Sequence, residues 1–266
     1  MGTQLVFLDD DMRRFFHRLG LREMSDYFAL EGAELVRQRE NSTLRRQTLV
    51  EAGRQECMYL KSYDYSRLPV WRRLGAERAG REARNYCLMR DSGMDVPQLI
   101  AHGDRRRRGL LCDGLIITRE IPGGIGLIDW FERQKVSSPA SLSHQSVRRR
   151  LLADSAAMIS RMHERGFYHI DLQWRNIMVV STVGTSPRLV LLDSARGGQR
   201  KWPLAREYGK MRDLSSLYKD ARRYLSRMEM IRWLRRYLGV GKIVPREKQL
   251  VWTILRDRDT KDNSSA

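Results

Sequence analysis

The stretch that decides the fold runs from Tyr168 to Ile177 and reads Tyr-His-Ile-Asp-Leu-Gln-Trp-Arg-Asn-Ile. It contains the pattern His-x-Asp-Leu-x-x-x-Asn, formed by His169, Asp171 and Asn176, and Asp193 follows at the end of an apolar run. A short loop before a β-hairpin would bring these side chains together. A carboxylate can accept the proton of an attacking hydroxyl, and an amide with a second carboxylate can bind Mg²⁺. We therefore expect Asp171 as a catalytic base and Asn176 and Asp193 as metal ligands.

The segments around this stretch resemble the surroundings of the catalytic loop of kinases. A long amphipathic helix pattern, about residues 143–165, precedes the loop. An apolar strand over residues 177–181, a turn near Gly184 and a second strand ending at Asp193 follow it. A helix, a loop and a hairpin in this order are typical of sites that position groups for phosphoryl transfer.

Composition bounds the class of protein. The chain has 266 residues with 41% hydrophobic residues, and no apolar run approaches the ~20 residues of a transmembrane helix. No basic segment precedes an apolar one at the start, so no signal peptide is expected. The three cysteines, Cys57, Cys87 and Cys112, form neither an even disulfide set nor a metal knuckle. These features predict a cytoplasmic protein.

The net charge of +18 predicts an anionic partner. Nucleic acid, anionic lipid and phosphorylated glycan all qualify, but no nucleic-acid motif or interleaved aromatic platform is visible, which disfavours the first. Only eight of the 50 basic residues are lysines, and Lys61 is the only lysine among the first 134 residues. A lone lysine at the end of a predicted strand indicates a chemical role.

The first 120 residues predict an amphipathic helical segment, about residues 1–33, before several strands and one main helix. Strand patterns lie near residues 34–37, 47–51, 56–63, 98–102 and 110–119. The main helix, about residues 75–91, carries Glu82 at its middle, where it can pair with Lys61. Glu77 is the alternative partner, and a solvated Glu82 is the other interpretation.

These segments together resemble the lipopolysaccharide kinase family (the Kdo/heptose kinases, or WaaP/InaA group) of the protein-kinase-like superfamily. The similarity covers roughly residues 30 to 240 and is carried, besides the catalytic loop, by Tyr59-Leu60-Lys61, Arg81 to Asn85, Gly93 to Pro97, Ile116 to Glu120, Leu191-Leu192-Asp193 and Arg212 to Tyr218. The resemblance implies an α+β, two-lobed protein-kinase-like fold, with an antiparallel-sheet N-lobe and a mainly helical C-lobe. The expected boundaries are residues 1–120, 121–258 and a disordered tail over 259–266.

Carried over to this chain, the resemblance implies that ATP is the phosphate donor and Mg²⁺ its metal. Lys61 would bind the nucleotide phosphates, with Glu82 as its partner. Asp213 would brace the catalytic loop, with His169 as structural support; a helix N-terminal Asp favoured by the dipole is the alternative for Asp213. Arg196, Arg200 and Lys201, just beyond the metal ligand Asp193, would contact the acceptor, unless they form an ordinary solvated loop.

Residues 121–124, Ile-Pro-Gly-Gly, interrupt the strand pattern as a hinge between lobes would. Pro122 has no N–H to donate. The adenine of ATP would therefore bond to the carbonyl of Arg119 and the amide of Ile121. The second half is mainly helical, with helix patterns near residues 127–134, 143–165, 210–238 and 246–255.

Three features depart from the usual kinase pattern. No glycine lies between Gly32 and Gly53, so a glycine-rich phosphate cover is absent. Ile170 stands where an arginine usually precedes the catalytic Asp, and Asp-Ser-Ala at 193–195 replaces Asp-Phe-Gly. These departures favour a constitutively formed site over a regulated protein kinase.

The family phosphorylates sugars of the inner core of lipopolysaccharide, which implies a heptose or Kdo hydroxyl as acceptor and an anionic glycolipid as partner. It also implies a peripheral contact with the cytoplasmic face of the inner membrane. The arginine-rich segment 221–238 can supply that contact, or can pack on the core with a basic outer face. Another small-molecule or atypical protein kinase, and a basic pseudokinase that binds nucleic acid or membrane, are the alternative functions.

Overall fold

The computed structural model of the chain describes residues 2–75, 77–136, 142–181 and 186–242. The predicted turn at Gly184, the helix at 246–255 and the tail at 259–266 lie outside these residues. The chain divides into two compact units, Met1–Cys87 with Pro97–Ile121, and Leu88–Val96 with Pro122–Ala266. The fold is a mixture of helices and antiparallel strands, as the α+β prediction requires.

The first unit is built on one antiparallel sheet. Its strands are β1 (Gly2–Phe7), β2 (Glu34–Arg39), β3 (Ser42–Glu51), β4 (Arg54–Asp64), β5 (Leu99–Arg107) and β6 (Leu110–Arg119), in the order β1-β5-β6-β4-β3-β2. Its helices are α1 (Asp10–Arg18), α2 (Met24–Phe28), α3 (Val70–Arg73) and the main helix α4 (Arg78–Asp91). The last four residues of α4 belong to the second unit.

The amino-terminal segment begins with a strand, so the predicted helical segment over residues 1–33 is wrong at its start. β1 pairs antiparallel with β5, from Gly2 opposite Arg106 to Phe7 opposite Ala101. Pairing to a strand satisfies the backbone groups of both, a tertiary contact that helix periodicity cannot report. The apolar residues of α1 and α2 pack on the sheet and form a core, as an amphipathic segment predicts. Within it, Phe16 and Tyr27 are in edge-to-face contact, with 5.3 Å between ring centres.

The two faces of β4 have different environments because side chains alternate along a strand. Met58 and Leu60 are buried in the core with α1 and α2. Lys61, Tyr63 and Tyr65, from the other set of alternate positions, make their hydrogen bonds to α4 and to the strand β5. The sequence of one strand therefore supplies both the core and the polar side of this unit.

The second unit is mainly helical. Its helices are α5 (Leu127–Val136), α6 (Leu142–Glu164), α7 (Pro203–Tyr224) and α8 (Arg227–Leu238), and its strands are β7 (Gly124–Gly126), β8 (Phe167–Tyr168), β9 (Ile177–Val180), β10 (Arg188–Leu191) and β11 (Gly198–Gln199). β9 pairs with β10 and β7, and β8 pairs with β11, all antiparallel. Among the described helices, none combines the length and apolar character that crossing a bilayer requires.

The predicted helix over residues 210–238 is two helices. α7 starts earlier, at Pro203, and the chain is extended at Leu225, with φ −110° and ψ 139°. Ser226 then caps α8: its hydroxyl accepts from the amide of Glu229, whose carboxylate accepts from the amide of Ser226. This reciprocal cap is a strong start signal for a new helix.

α8 packs on α6, as the core-packed interpretation of residues 221–238 predicts. Arg148 of α6 forms an ion pair with Glu229, with Nε and Oε1 2.7 Å apart. The indole of Trp233 donates to Ser155 at 2.9 Å, and Tyr237 is buried. The apolar side of α8 is therefore occupied by the protein itself.

Candidate active site

The ammonium of Lys61 lies 3.0 Å from both carboxylate oxygens of Glu82. The structure thus joins these two residues in an ion pair, in which Glu82 is almost fully buried and Lys61 is 18% exposed. Glu77, the alternative partner, lies 3.5 Å from the guanidinium of Arg106 instead.

Tyr63 is a second donor to Glu82. It lies two residues after Lys61 on the same strand, so the two side chains reach the same carboxylate. The ammonium also lies 5.4 Å from the centre of the Tyr63 ring. A buried carboxylate is stable only when it is paired and hydrogen-bonded, and these two neighbours supply both conditions.

Tyr65 and Asp104 anchor the first turn of α4 to the sheet. The hydroxyl of Tyr65 accepts from the amides of Arg78 and Ala79 and donates to Asp104 at 2.8 Å. Asp104 also accepts from the amide of Gly80 at 2.8 Å. Free amides at the start of a helix need such acceptors. The anchor fixes the start of the helix that carries Glu82.

Burial raises the pKa of the Asp104 carboxyl, and the hydrogen bond from Tyr65 opposes that effect only in part. Burial also raises the pKa of Tyr65, with the charge of Asp104 adding to it. Tyr65 therefore keeps its proton at neutral pH and remains the donor in this pair. The interaction is a hydrogen bond to a buried carboxyl, and it does not depend on an exposed charge.

The predicted hinge residues lie at the end of β6. The amides of Arg119 and Glu120 donate to Gln98 and Cys57, each at 2.9 Å. Within the described residues, the amide of Ile121 donates to no acceptor. The side chain of Arg119 lies 3.3 Å from Glu56. The Ile121 amide thus keeps the hydrogen-bonding capacity that its predicted role requires.

The catalytic loop begins with a left-handed residue, Ile170, whose φ is +68°. Asp193 is left-handed as well, with φ +51°. Such conformations cost roughly 1–3 kcal/mol for residues other than glycine, and they persist only where the surroundings impose them. Ile170 lies beside the predicted base Asp171, and Asp193 is itself a predicted metal ligand.

Asp213 imposes the conformation of the loop. Its carboxylate accepts from the amide of His169 at 2.8 Å and from the amide of Ile170 at 2.6 Å. α7 begins at Pro203, so Asp213 lies in the middle of the helix and the dipole explanation does not apply. The carboxylate is completely buried and lies against the loop that it was predicted to brace.

His163 supports the same carboxylate. One of its ring nitrogens lies 3.1 Å from Asp213, and the other lies 2.8 Å from the hydroxyl of Tyr237 in α8. His169 uses its Nε2 to donate to the carbonyl of Leu192 at 2.8 Å, which ties the loop to the chain just before Asp193. His169 thus connects the loop to the residue before the predicted metal ligand Asp193.

Asp171 and Asn176 lie in contact. The side-chain amide of Asn176 donates to the backbone carbonyl of Asp171 at 2.8 Å, and Gln173 donates to the Asp171 carboxylate at 2.7 Å. The backbone carbonyl of Asn176 accepts from the amide of Leu192, also at 2.8 Å. The loop therefore carries a carboxylate, Asp171, and a carboxamide, Asn176. Asp193 directly follows Leu192, whose amide bonds to the backbone of Asn176.

This donor set fits Mg²⁺ held together with phosphates. The nitrogen of the Asn176 side chain is committed to Asp171, which leaves its oxygen for a cation, and Asp193 would add a carboxylate. The described residues contain no group of three or more His, Cys, Asp or Glu that could hold a metal alone. Mg²⁺ commonly takes one or two protein ligands and completes its shell with phosphate oxygens and water.

α7 approaches the catalytic segment closely through Gly209. A Cβ at this position would lie 2.5 Å from the ring of Tyr168, so only glycine fits without movement. Gly209 and Asp213 are four residues apart and share a helix face. The glycine lets the helix lie close enough for Asp213 to reach the loop.

The predicted acceptor residues lie in the segment before α7. Arg196 and Lys201 are exposed, and Arg200 is half-buried. The amide of Arg200 donates to Gly166 at 2.8 Å, and its guanidinium lies 5.7 Å from the centre of the Tyr208 ring. The segment therefore has an ordered backbone with cationic side chains on its surface.

Four positioning residues were not predicted from the sequence: Tyr63, Tyr65, Asp104 and His163. Tyr63 and Tyr65 could have been found, since they follow Lys61 at the strand period of two. Asp104 and His163 carry no local signal, because the hydrogen-bond partners of their side chains lie 24 to 74 residues away in the chain.

Comparisons with known proteins agree with this geometry. The family model described as lipopolysaccharide kinase (Kdo/WaaP) matches residues 44–237, which is more than half of the chain. No protein of curated function matches the sequence. Among solved structures, "WaaP in complex with acyl carrier protein" shares the fold with a TM-score of 0.71 and 21% identity, over 97% of this chain and 98% of that one. The chain therefore belongs to the lipopolysaccharide kinase (Kdo/WaaP) family.

Proposed function

We propose that the protein transfers the terminal phosphoryl group of ATP to a sugar hydroxyl of the lipopolysaccharide inner core, on heptose or Kdo. The observation that carries the proposal is the loop braced by Asp213, which holds Asp171 in contact with Asn176. A binding protein has no need for that arrangement. Family membership supports the class of reaction.

Asp171 would orient the acceptor hydroxyl and accept its proton as the oxygen attacks phosphorus. Such a base typically contributes roughly 10²- to 10⁴-fold. Its carboxylate is fixed by Gln173, which limits the directions it can take.

Lys61 would hold the phosphates of the nucleotide, with Glu82 and Tyr63 keeping its ammonium in place. Asn176 and Asp193 would hold Mg²⁺, which neutralises charge on the phosphoryl oxygens when it is bound. The backbone of Arg119 and Ile121 would bind adenine. We assign nucleotide binding to the unit around residues 1–120 and catalysis to residues 121–258.

Arg196, Arg200 and Lys201 would bind the acceptor through its carboxylates and phosphates. Guanidinium groups suit such ligands because their planar donors match two oxygens at once. The net charge of +18 favours an anionic glycolipid over the cationic substrates of other small-molecule kinases with this fold. The protein would act at the cytoplasmic face of the inner membrane, where such an acceptor is reached.

The test is mass spectrometry of core oligosaccharide from cells that carry or lack the gene. We expect the core to lose one phosphate when the gene is deleted. The wild-type gene should restore that phosphate, and a gene with Asp171→Asn should not. An Asp171→Asn gene that restores the phosphate as well as the wild type does would overturn the catalytic assignment. A core with unchanged phosphate on deletion would overturn the choice of acceptor.

A further inference from the structure

We propose that a surface at the start of α7 docks the protein on a membrane leaflet that contains anionic lipid. We call it the α7 surface, and it consists of Arg200, Lys201, Trp202, Leu204 and Tyr208. The inference rests on the proposed function for the reason to dock, since the acceptor would lie in that leaflet. The docking itself can be measured without catalysis.

The apolar members of the α7 surface protrude into solvent. Trp202 is 78% exposed, Leu204 86% and Tyr208 56%. Single exposed apolar residues are common, but these three lie within seven positions, from the residue before α7 to its second turn, and we refer to them together as the patch. Water is a poor environment for these side chains, and tryptophan and tyrosine are the residues enriched at membrane interfaces. The patch has the composition of a part that enters the interface.

The charge around the patch complements an anionic leaflet. Residues 196–212 contain six cations (Arg196, Arg200, Lys201, Arg206, Lys210, Arg212) and one acid (Glu207), a net charge of +5. Cations near an anionic surface each add to the attraction and act over about one Debye length, roughly 10 Å. The cations would pair with headgroups while the apolar side chains lie deeper.

The backbone beneath the patch is fixed. β11 pairs with β8 just before it, from Gly198 opposite Tyr168 to Gln199 opposite Phe167. Arg206 then donates to the Tyr168 hydroxyl at 3.3 Å and to the carbonyl of Glu164 at 3.1 Å, at the end of α6. The exposed side chains are thus presented by an ordered segment, so little further order is lost on docking.

Two other surfaces are weaker candidates. The apolar side of α8 packs on α6, and Met228 is its exposed apolar residue. The α3 segment exposes Val70, Trp71 and Leu74. Residues 64–78, however, carry four cations and two acids, a net charge of +2, and Arg72 covers the Trp71 ring at 4.8 Å. The α7 surface combines the larger charge with the more exposed tryptophan.

The test is co-sedimentation of the full chain, without nucleotide, with vesicles of phosphatidylcholine and with vesicles containing about one quarter phosphatidylglycerol. We expect the wild type to bind the anionic vesicles and salt to weaken binding. Trp202→Ser and Leu204→Ser should each weaken it about tenfold, which corresponds to about 1.4 kcal/mol. Both side chains are exposed, so thermal unfolding should confirm that the variants fold.

Trp71→Ser and Met228→Ser are matched controls, exposed residues outside the α7 surface, and each should change binding by less than about twofold. An equal loss from Trp71→Ser and Trp202→Ser would overturn the assignment to α7. Unchanged binding of Trp202→Ser and Leu204→Ser would overturn it as well. Wild-type protein that does not bind vesicles but binds purified acyl carrier protein through Trp202 would show that the α7 surface is a protein-binding site. That result would also overturn the membrane-docking proposal.

The two proposals fail separately. Vesicle binding that depends on Trp202, in a protein that transfers no phosphate, would remove the proposed function and leave the docking surface. Transfer to a soluble, deacylated core with no vesicle binding would leave the function and remove the surface. We expect Trp202→Ser to retain transfer to the soluble core and to show reduced transfer to the lipid-linked core in anionic vesicles.

Discussion

The side-chain amide of Asn176 donates a hydrogen bond to the backbone carbonyl of Asp171 at 2.8 Å. This bond joins the proposed base to a proposed metal ligand, so neither can move without the other. It also decides which atom of Asn176 is left for a cation. The chemistry proposed for the second unit depends on this contact.

The ion pair of Lys61 with Glu82 should contribute to stability as well as to activity. Lys61→Met removes the ammonium from a buried carboxylate, which we expect to cost about 3 kcal/mol of unfolding free energy, the lower end of the range because Lys61 is partly exposed. The double variant Lys61→Met/Glu82→Gln should regain most of this, since a neutral amide can still accept from Tyr63. Denaturant unfolding measures the free energy of unfolding of the single and the double variant.

Activity separates the two roles of Lys61. The double variant should fold and still transfer no phosphate at a measurable rate, because the ammonium is absent. Wild-type turnover in the refolded double variant would show that Lys61 only balances the charge of Glu82.

Removal of the Asp213 brace should disorder the catalytic loop. Asp213→Ala leaves the amides of His169 and Ile170 without their acceptor, at about 1–3 kcal/mol each. We expect lower stability and a large fall in turnover, with nucleotide affinity changed much less. Asp213→Asn keeps one acceptor oxygen and should recover part of the loss.

Asp220→Ala is the control on the same helix, since Asp220 accepts from the amide of Trp174 at 3.1 Å. We expect a smaller loss of turnover there, because Asp220→Ala affects only one amide. That amide, of Trp174, lies three residues from Asp171, whereas Ile170 is adjacent to Asp171. Equal effects at both positions would mean that Asp213 has no special part in placing Asp171.

Gly209→Ala tests the close approach of α7. The added Cβ would lie 2.5 Å from the ring of Tyr168, and overpacking of this kind typically costs about 1–3 kcal/mol. A Cβ at Gly198 meets nothing within 4 Å, so Gly198→Ala should leave the unfolding free energy nearly unchanged. A tolerated Gly209→Ala would show that α7 can shift without cost.

The pair of Arg148 and Glu229 predicts a pH dependence of stability. Burial raises the pKa of Glu229, but the hydrogen bonds from Arg148 and Ser226 outweigh it, so the pKa is lowered overall. A carboxylate with a lowered folded-state pKa stabilises the fold above its unfolded pKa and loses that effect as the pH falls through the folded one. The stability difference between wild type and Glu229→Gln should therefore shrink below about pH 4.5. A difference that stays constant would mean that the charge of Glu229 contributes nothing.

Prediction from the sequence succeeded where local spacing carries the information. The predicted order of helix, loop and paired strands is present as α6, the loop before β9, and β9 with β10, and the loop brings Asn176 into contact with Asp171. The strands of the first unit and the buried face of α6, with Leu151, Met158 and Met162, follow from hydrophobic periodicity, whereas the antiparallel pairing was implied by the family resemblance.

Contacts between distant segments could not be predicted in this way. β1 became a strand because β5 offers it a pairing edge, not because of its own periodicity. The long helix pattern before Leu238 is divided by the cap at Ser226, a signal of two residues within a helix-forming stretch. Asp104 and His163 reach their partners only after the chain has folded.

The most direct test of the central claim is phosphate transfer by the purified protein to deacylated lipopolysaccharide core, with ATP and Mg²⁺, for wild type and Asp171→Asn. We predict that the wild type transfers phosphate and that turnover of the variant is lower by about 10²- to 10⁴-fold. The ATP affinity measured by calorimetry should be the same for both. Turnover of Asp171→Asn within a few-fold of the wild type would contradict the account.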